Sequence, residues 1–220
     1  MRELDEKQQF SEWLHSDDRK PVAVQELDLT VFENDMKNRS FRGCIFLGCE
    51  LSDQTTGHIV NSGGLVIRDN KAFRFQVHRA KLYSPTELFK GFDPKAENGY
   101  LQTFDYKVYE EYVNSGMENP GSIAVSLMRR LHDHSITDAL EEVIHDRKVV
   151  AIMGGHSTER QDAFYLKVAK ISRALTQKGF LMVSGGGPGA MEATHLGAYF
   201  ASRPLEDLLE AVEEIKIRFF

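Results

Sequence analysis

The sequence predicts an α/β protein: a Rossmann-like parallel sheet, present as its first βαβ unit and otherwise incomplete, preceded by an α+β N-terminal module. Three observations predict it. Towards the C-terminal end, KVVAIMGG (148–155) and FLMVS (180–184) are apolar without alternation, the pattern of strands covered on both faces. Each ends in a glycine turn that leads into a helical pattern, giving the order strand, turn, helix, strand, turn, helix. Upstream, short strand patterns give way to a run of helices. The boundary falls at Asp146-Arg147, dividing the chain into 1–146 and 147–220.

Taken in order, Trp13 sits in a short charged helix. VAVQELDLT (22–30) alternates like a half-buried strand, and CIFLGCEL (44–51) is a more continuously apolar one. Residues 53–61 read as a helix, Gly63-Gly64 as a break and LVIRD (65–69) as a further strand, a small α/β element within the module. The echo between DLTVF and CIFLGCEL is too short to define a repeat array. Ser84-Pro85-Thr86-Glu87 is a capping box with proline at the first helical position. Helices follow at 105–114, closed by Gly116, and at 121–133; Ser135 caps a further one at 136–145. Residues 161–178 have helical spacing, with Phe164, Leu166, Val168, Ile171 and Leu175 on the apolar face and Gly179 as the stop. A helix at 188–201 opens on Pro188, another begins after Pro204, and IKIRFF (215–220) reads as a strand just begun.

Composition narrows the function. In 220 residues, 41% are hydrophobic and 27% charged, as in an ordinary globular protein, and the net charge of −6 argues against a general nucleic-acid binder. No apolar run approaches a membrane span, and the charged start MRELDEKQQF lacks a signal-peptide core, so a cytoplasmic protein is expected. Cys44 and Cys49 lie in an apolar stretch and read as buried reduced thiols.

Chemistry concentrates in two turns. In FLMVSGGGPGAMEA (180–193), a strand, three glycines and a proline-led helix start let backbone N–H groups converge on an anion at the positive end of a helix dipole. Ser184, Gly185, Gly186, Gly187, Pro188, Gly189 and Met191 are the candidate contacts. Neighbouring parallel strands bring their C-terminal turns side by side, so Gly154, Gly155, His156, Ser157, Thr158 and Arg160 are expected at the same ligand. Glycine N–H groups and a Ser157 or Thr158 hydroxyl supply polar contacts, and His156 lines the pocket. Arg160 reads as an anion partner or as a solvated charge. Glu192 reads as a partner for a ribose hydroxyl or a developing cation, or as a first-turn glutamate that favours the helix dipole. Gly185-x-Gly187-x-x-Ala190 fits the dinucleotide fingerprint in spacing, but it follows the second strand of its unit and no acid-tipped strand comes after it. His132-Asp133-His134, between two expected helices, lacks a third ligand at diagnostic spacing, so no metal is expected. There is no nucleophile elbow, Walker A lysine motif or HExxH.

The segment GGHSTERQDAFYLKVAKISRALTQKGFLMVSGGGPGAMEATHLGA, with the strand before it (149–198 in all), resembles the first βαβ unit of the LONELY GUY (LOG) family, once mislabelled lysine decarboxylases. The N-terminal region is similar to the extension of larger bacterial members. The resemblance implies a nucleosidase, a phosphoribohydrolase that splits nucleoside 5′-monophosphates such as AMP into base and ribose 5-phosphate, without a cofactor. It also implies a homodimer, which agrees with the exposed edge that a two-stranded sheet would leave. The family's second motif, Pro-Gly-Gly-x-Gly-Thr-x-x-Glu, and its partner arginine are not recognisable here, and the chain reads as a truncated form or one with an incomplete active site. Glu192 is the one carboxylate placed to serve near the ribose, as the catalytic candidate. A nucleotide-binding or sensing module without turnover is the alternative. Nothing marks a pyridoxal phosphate lysine.

Overall fold

The computed structural model describes residues 1–68 and 72–217. The chain is α/β and forms two compact units, Met1–Leu140 and Glu141–Phe220.

In the first unit, β1 (Arg2–Leu4), β2 (Val22–Gln25), β3 (Ile45–Leu47) and β4 (Leu65–Ile67) form a parallel sheet in the order β1-β2-β3-β4. The crossovers carry α1 (Lys7–His15), α2 (Glu33–Met36) and α3 (Asp53–Asn61). The expected α+β module is therefore corrected to alternating β/α. The register also overturns the dismissal of a repeat: Glu3 pairs with Ala23, Ala23 with Ile45 and Ile45 with Leu65, steps of 20, 22 and 20 residues. Leu4, Val24 and Phe46 occupy the same rung and are fully buried. Past the strands, Glu26 and Gly48 repeat the left-handed bend (φ 51° and 61°), and the chain pairs again at Asp28 and Glu50. The repeat escapes a short motif search because it is carried by burial positions 20 to 22 residues apart, within the period of stacked supersecondary units. β2 is buried at every position because neighbours flank it, so the alternation expected over 22–30 fails within the strand but holds from its last residue on, where Gln25, Leu27 and Leu29 are buried and Glu26 and Thr30 exposed. Cys44 and Cys49 are buried free thiols, and burial pushes the Cys49 thiol up to about 11. Arg39, buried over the Trp13 ring at 3.9 Å, donates to the Leu14 carbonyl at 2.7 Å and so satisfies an orphan acceptor at the end of α1.

The rest of this unit is helical: α4 (Pro85–Leu88), with the capping box between Ser84 and Glu87 as expected, α5 (Phe104–Asn114) and most of α6 (Ile123–Ile144), whose residues 141–144 fall in the second unit. The two helices expected at 121–133 and 136–145 are one. No glycine or proline interrupts 123–144, and Ser135 is buried mid-helix, its hydroxyl donating to the His132 carbonyl at 2.8 Å instead of capping a new start. His132-Asp133-His134 accordingly lies within a helix, not between two. The helix is followed by Asp146 at φ 57°. Of the expected strand 65–69, Asp69 lies outside the described residues.

In the second unit, β5 (Val149–Ile152) and β6 (Leu181–Ser184) pair in parallel through α7 (Ala163–Gln177), as expected, and are followed by α8 (Ala190–Tyr199) and α9 (Leu205–Lys216). Ile215 and Lys216 belong to α9, because its amphipathic spacing, with Leu208 and Val212 buried, carries the helix through them. The strand expected at 215–220 is thus not observed in its described part; 218–220 lie outside the described residues. Among the described residues, no helix is long and apolar enough to cross a membrane.

Candidate functional site

The second unit brings the two glycine turns together at the C-terminal ends of β5 and β6. The Gly155 carbonyl accepts from the Thr158 N–H at 3.0 Å and from the Ala190 N–H at 3.2 Å, fastening the first turn to the start of α8. A Cβ on Gly189 would stand 2.2 Å from that carbonyl oxygen, and Gly189 itself has φ 73°. Glycine is required there by the contact between the turns. A Cβ on Gly155 would likewise meet the Ala190 Cβ at 2.6 Å. Gly185 and Gly187 are covered by Met191, whose Sδ and Cε would lie 3.2 and 2.6 Å from added Cβ atoms. Gly154 and Gly186 (φ 73°) differ: nothing lies within 4 Å of where their Cβ atoms would be, so at these positions the backbone is open to an approaching group. Only two of the candidate glycines, then, have the surroundings that a close-approach argument needs.

Ser184 is held at the end of β6. Its Oγ accepts from the Gly186 N–H at 3.2 Å and lies 2.7 Å from His195 Nε2 and 3.3 Å from the Met191 carbonyl. His195, which sequence reasoning missed, is exposed on α8 and completes this chain. Nothing in a spacing of eleven residues across a turn marks such a pair. His156, Ser157 and Pro188 are exposed.

Arg160 and Glu192 bind each other. Arg160 Nε donates to Glu192 Oε2 at 3.1 Å and Nη2 to Oε1 at 2.7 Å, a bidentate fork, while Nη1 donates to the Ile215 carbonyl at 3.2 Å. With 24% and 31% of their side chains exposed, the two form a partly buried ion pair, and Glu192 lies in the first turn of α8 as expected. The two charges engage each other, because planar guanidinium and carboxylate match so well at short range. The bonds that Arg160 donates to Glu192 raise its pKa further, keeping it charged. Tyr165, in the first turn of α7, is fully buried and its hydroxyl has no hydrogen-bond partner. Burial, and next the Glu192 charge, push its pKa upward, so it remains a protonated donor.

The arrangement offers open backbone at Gly154 and Gly186, an N-terminus of α8 without a side-chain cap and a cation–carboxylate pair. Chemically this suits a small anion with an attached polar group. Comparisons of the chain with protein-family models, with curated proteins and with solved structures gave no match.

Proposed function

We propose that the second unit is the Rossmann-like start of a LOG-type phosphoribohydrolase and binds a nucleoside 5′-monophosphate such as AMP. The phosphate lies against the turn 185–189 and the first turn of α8, and the sugar and base lie towards Gly154, His156 and Ser157. The observation that carries the reading is the parallel pair β5–β6 with both following turns at one end and open positive-φ glycines in each. The LOG resemblance of 149–198 supplies the reaction: hydrolysis of the N-glycosidic bond to base and ribose 5-phosphate in a cytoplasmic homodimer, with no cofactor. Glycosidic cleavage passes through an oxocarbenium-like state, which a carboxylate near the ribose stabilises while water attacks. Glu192 is the candidate for that carboxylate.

A second reading, a nucleotide-binding module without turnover, is favoured by one observation: Glu192 is engaged by Arg160, and no second glycine loop ending in glutamate occurs in the 220 residues. Binding and turnover are tested together. AMP should bind the full chain, and Gly186→Val, which adds a branched side chain at φ 73°, should weaken binding more than about tenfold, or ~1.4 kcal/mol. Unchanged affinity of a folded Gly186→Val protein in calorimetry refutes the site. Adenine release should be very low. Enzymes lower barriers by at least ~8 kcal/mol, and a single aligned group can carry ~3 kcal/mol of that, so losing a phosphate loop and a glutamate leaves little. Robust release that Glu192→Ala abolishes would make Glu192 the catalytic group and remove the second reading.

A further inference from the structure

We propose that the Arg160–Glu192 pair is a clasp that a phosphate-bearing ligand opens, and that the Tyr165 hydroxyl is the donor that holds Glu192 once Arg160 has turned to the phosphate; the inference rests on the nucleotide reading above. Tyr165 packs in a cluster with Val168, Ala190, Ala193 and Leu208 and is fully buried, yet its hydroxyl is the one buried side-chain oxygen or nitrogen of the second unit left without a hydrogen bond among the described residues. A buried donor without an acceptor is costly, and native structures satisfy almost all of them. Here the acceptor stands close by. The phenol feels the charges of both Glu192 and Arg160. The phenol lies close enough to Glu192 for the two side chains to interact, which pushes the tyrosine pKa up, but with the carboxylate plane set by the guanidinium fork the hydroxyl is left without a well-formed hydrogen bond.

Exchange of partners would satisfy every group. A phosphate offers Arg160 the same planar, bidentate match as a carboxylate. Nη1 keeps the arginine tethered to the Ile215 carbonyl during the exchange. Released, Glu192 needs a donor, and Tyr165 supplies one from a fixed position in the core. Without ligand the two charged groups thereby occupy each other, and Tyr165 acts as a positioning residue for the form in which they are parted.

Wild type, Tyr165→Phe, Glu192→Gln and Arg160→Gln are compared by thermal unfolding without ligand and by calorimetry with AMP and with inorganic phosphate. Tyr165→Phe keeps the ring, so it should unfold no lower than wild type, because the hydroxyl has no partner there, and should bind AMP about five- to tenfold more weakly. Glu192→Gln loosens the clasp without a ribose to consider when phosphate is the probe, and should bind phosphate at least about threefold more tightly. Arg160→Gln should lose the phosphate response. Unaltered AMP affinity of Tyr165→Phe, a lowered unfolding temperature, or a Glu192→Gln protein that binds phosphate no better each overturns the clasp. If AMP binds and Gly186→Val blocks it while these variants change nothing, the clasp alone fails. If phosphate follows the expected pattern and AMP does not bind, the nucleotide reading fails and the clasp stands. Absence of both kinds of binding ends both.

Discussion

His78 is 5% exposed, and its Nε2 stands 3.0 Å from Gln25 Oε1. An amide oxygen only accepts, so Nε2 carries the proton and Nδ1 keeps a buried lone pair without a partner. Protonating it would bury an unpaired charge, and burial holds the pKa down at about 4 against an ordinary 6.5. The unfolded chain therefore takes up the proton first. The stability that His78 contributes is complete above pH 6.5 and is lost as pH falls from there towards 4, by no more than about 3 kcal/mol. Urea unfolding at pH 7.5 and pH 5 should show this loss in wild type and a flatter dependence in His78→Gln; equal slopes would exclude His78 as the cause. Glu87 acts in a lower window. The Ser84 backbone N–H, the Ser84 hydroxyl and Arg79 hold its carboxylate at about 2, so the capping box weakens only as pH falls below about 4.5. At this scale the sequence marked the capping box and the glycine turns, because both are local. It did not mark His195, Tyr165 or the bond between Arg160 and Glu192, since those relations join residues 11 to 32 positions apart and arise only when turns and helices meet.

Between elements, the crossing of α7 and α8 shows how size can mislead. Ranking the large apolar residues of 161–178 put Phe164 and Ile171 on the inner face, yet they are 55% and 48% exposed, whereas Tyr165, Val168, Ala169 and Ser172 are buried. The inner face is selected by small residues that let the helices approach. The Ser172 hydroxyl donates to the Thr194 carbonyl at 2.6 Å, and a Cβ on Gly197 would fall 2.0 Å from the Ala169 carbonyl oxygen. A backbone atom cannot step aside cheaply. Gly197→Ala should therefore destabilise the protein by at least ~2 kcal/mol. Gly57→Ala in α3, where a Cβ would meet nothing within 4 Å, should stabilise it by about 0.5–1 kcal/mol. Both signs are read from denaturant midpoints; a Gly197→Ala protein no less stable than wild type would show that the helix crossing is looser than this contact implies, and a destabilised Gly57→Ala protein would contradict the open surface at that position. The strand pair β5–β6 was legible because unbroken apolar runs and flanking glycines leave few alternatives. The continuity of α6 was not: a serine followed three residues later by an acid looks like a cap whether or not the helix has already begun.

At the scale of the molecule, each unit has its own buried cluster, one around Phe10, Phe41 and Phe46 and the other around Tyr165, Ala193 and Leu208. The second unit leaves apolar surface in water: Met153 and Tyr199 are each 67% exposed, and a shallow groove of about 390 Å³ runs along α7 past Leu166 and Ile171. Surface of this kind favours association, so a dimer is expected by light scattering at micromolar concentration; a stable monomer that binds no apolar dye would contradict it. The α/β class was legible from strand and turn order, but the architecture of the first unit was hidden, because its strands are only three or four residues long and offer little periodicity to read. Those rungs have a further consequence. Every pairing in the ladder joins a segment to the next one along the chain, about one turn of the coil away, so assembly requires no distant ends to meet. The unit can in principle lengthen like a spring gaining a coil. Inserting a second copy of residues 23–44 after position 44 would extend the stack by one rung, with each existing strand still beside a neighbour of its own kind.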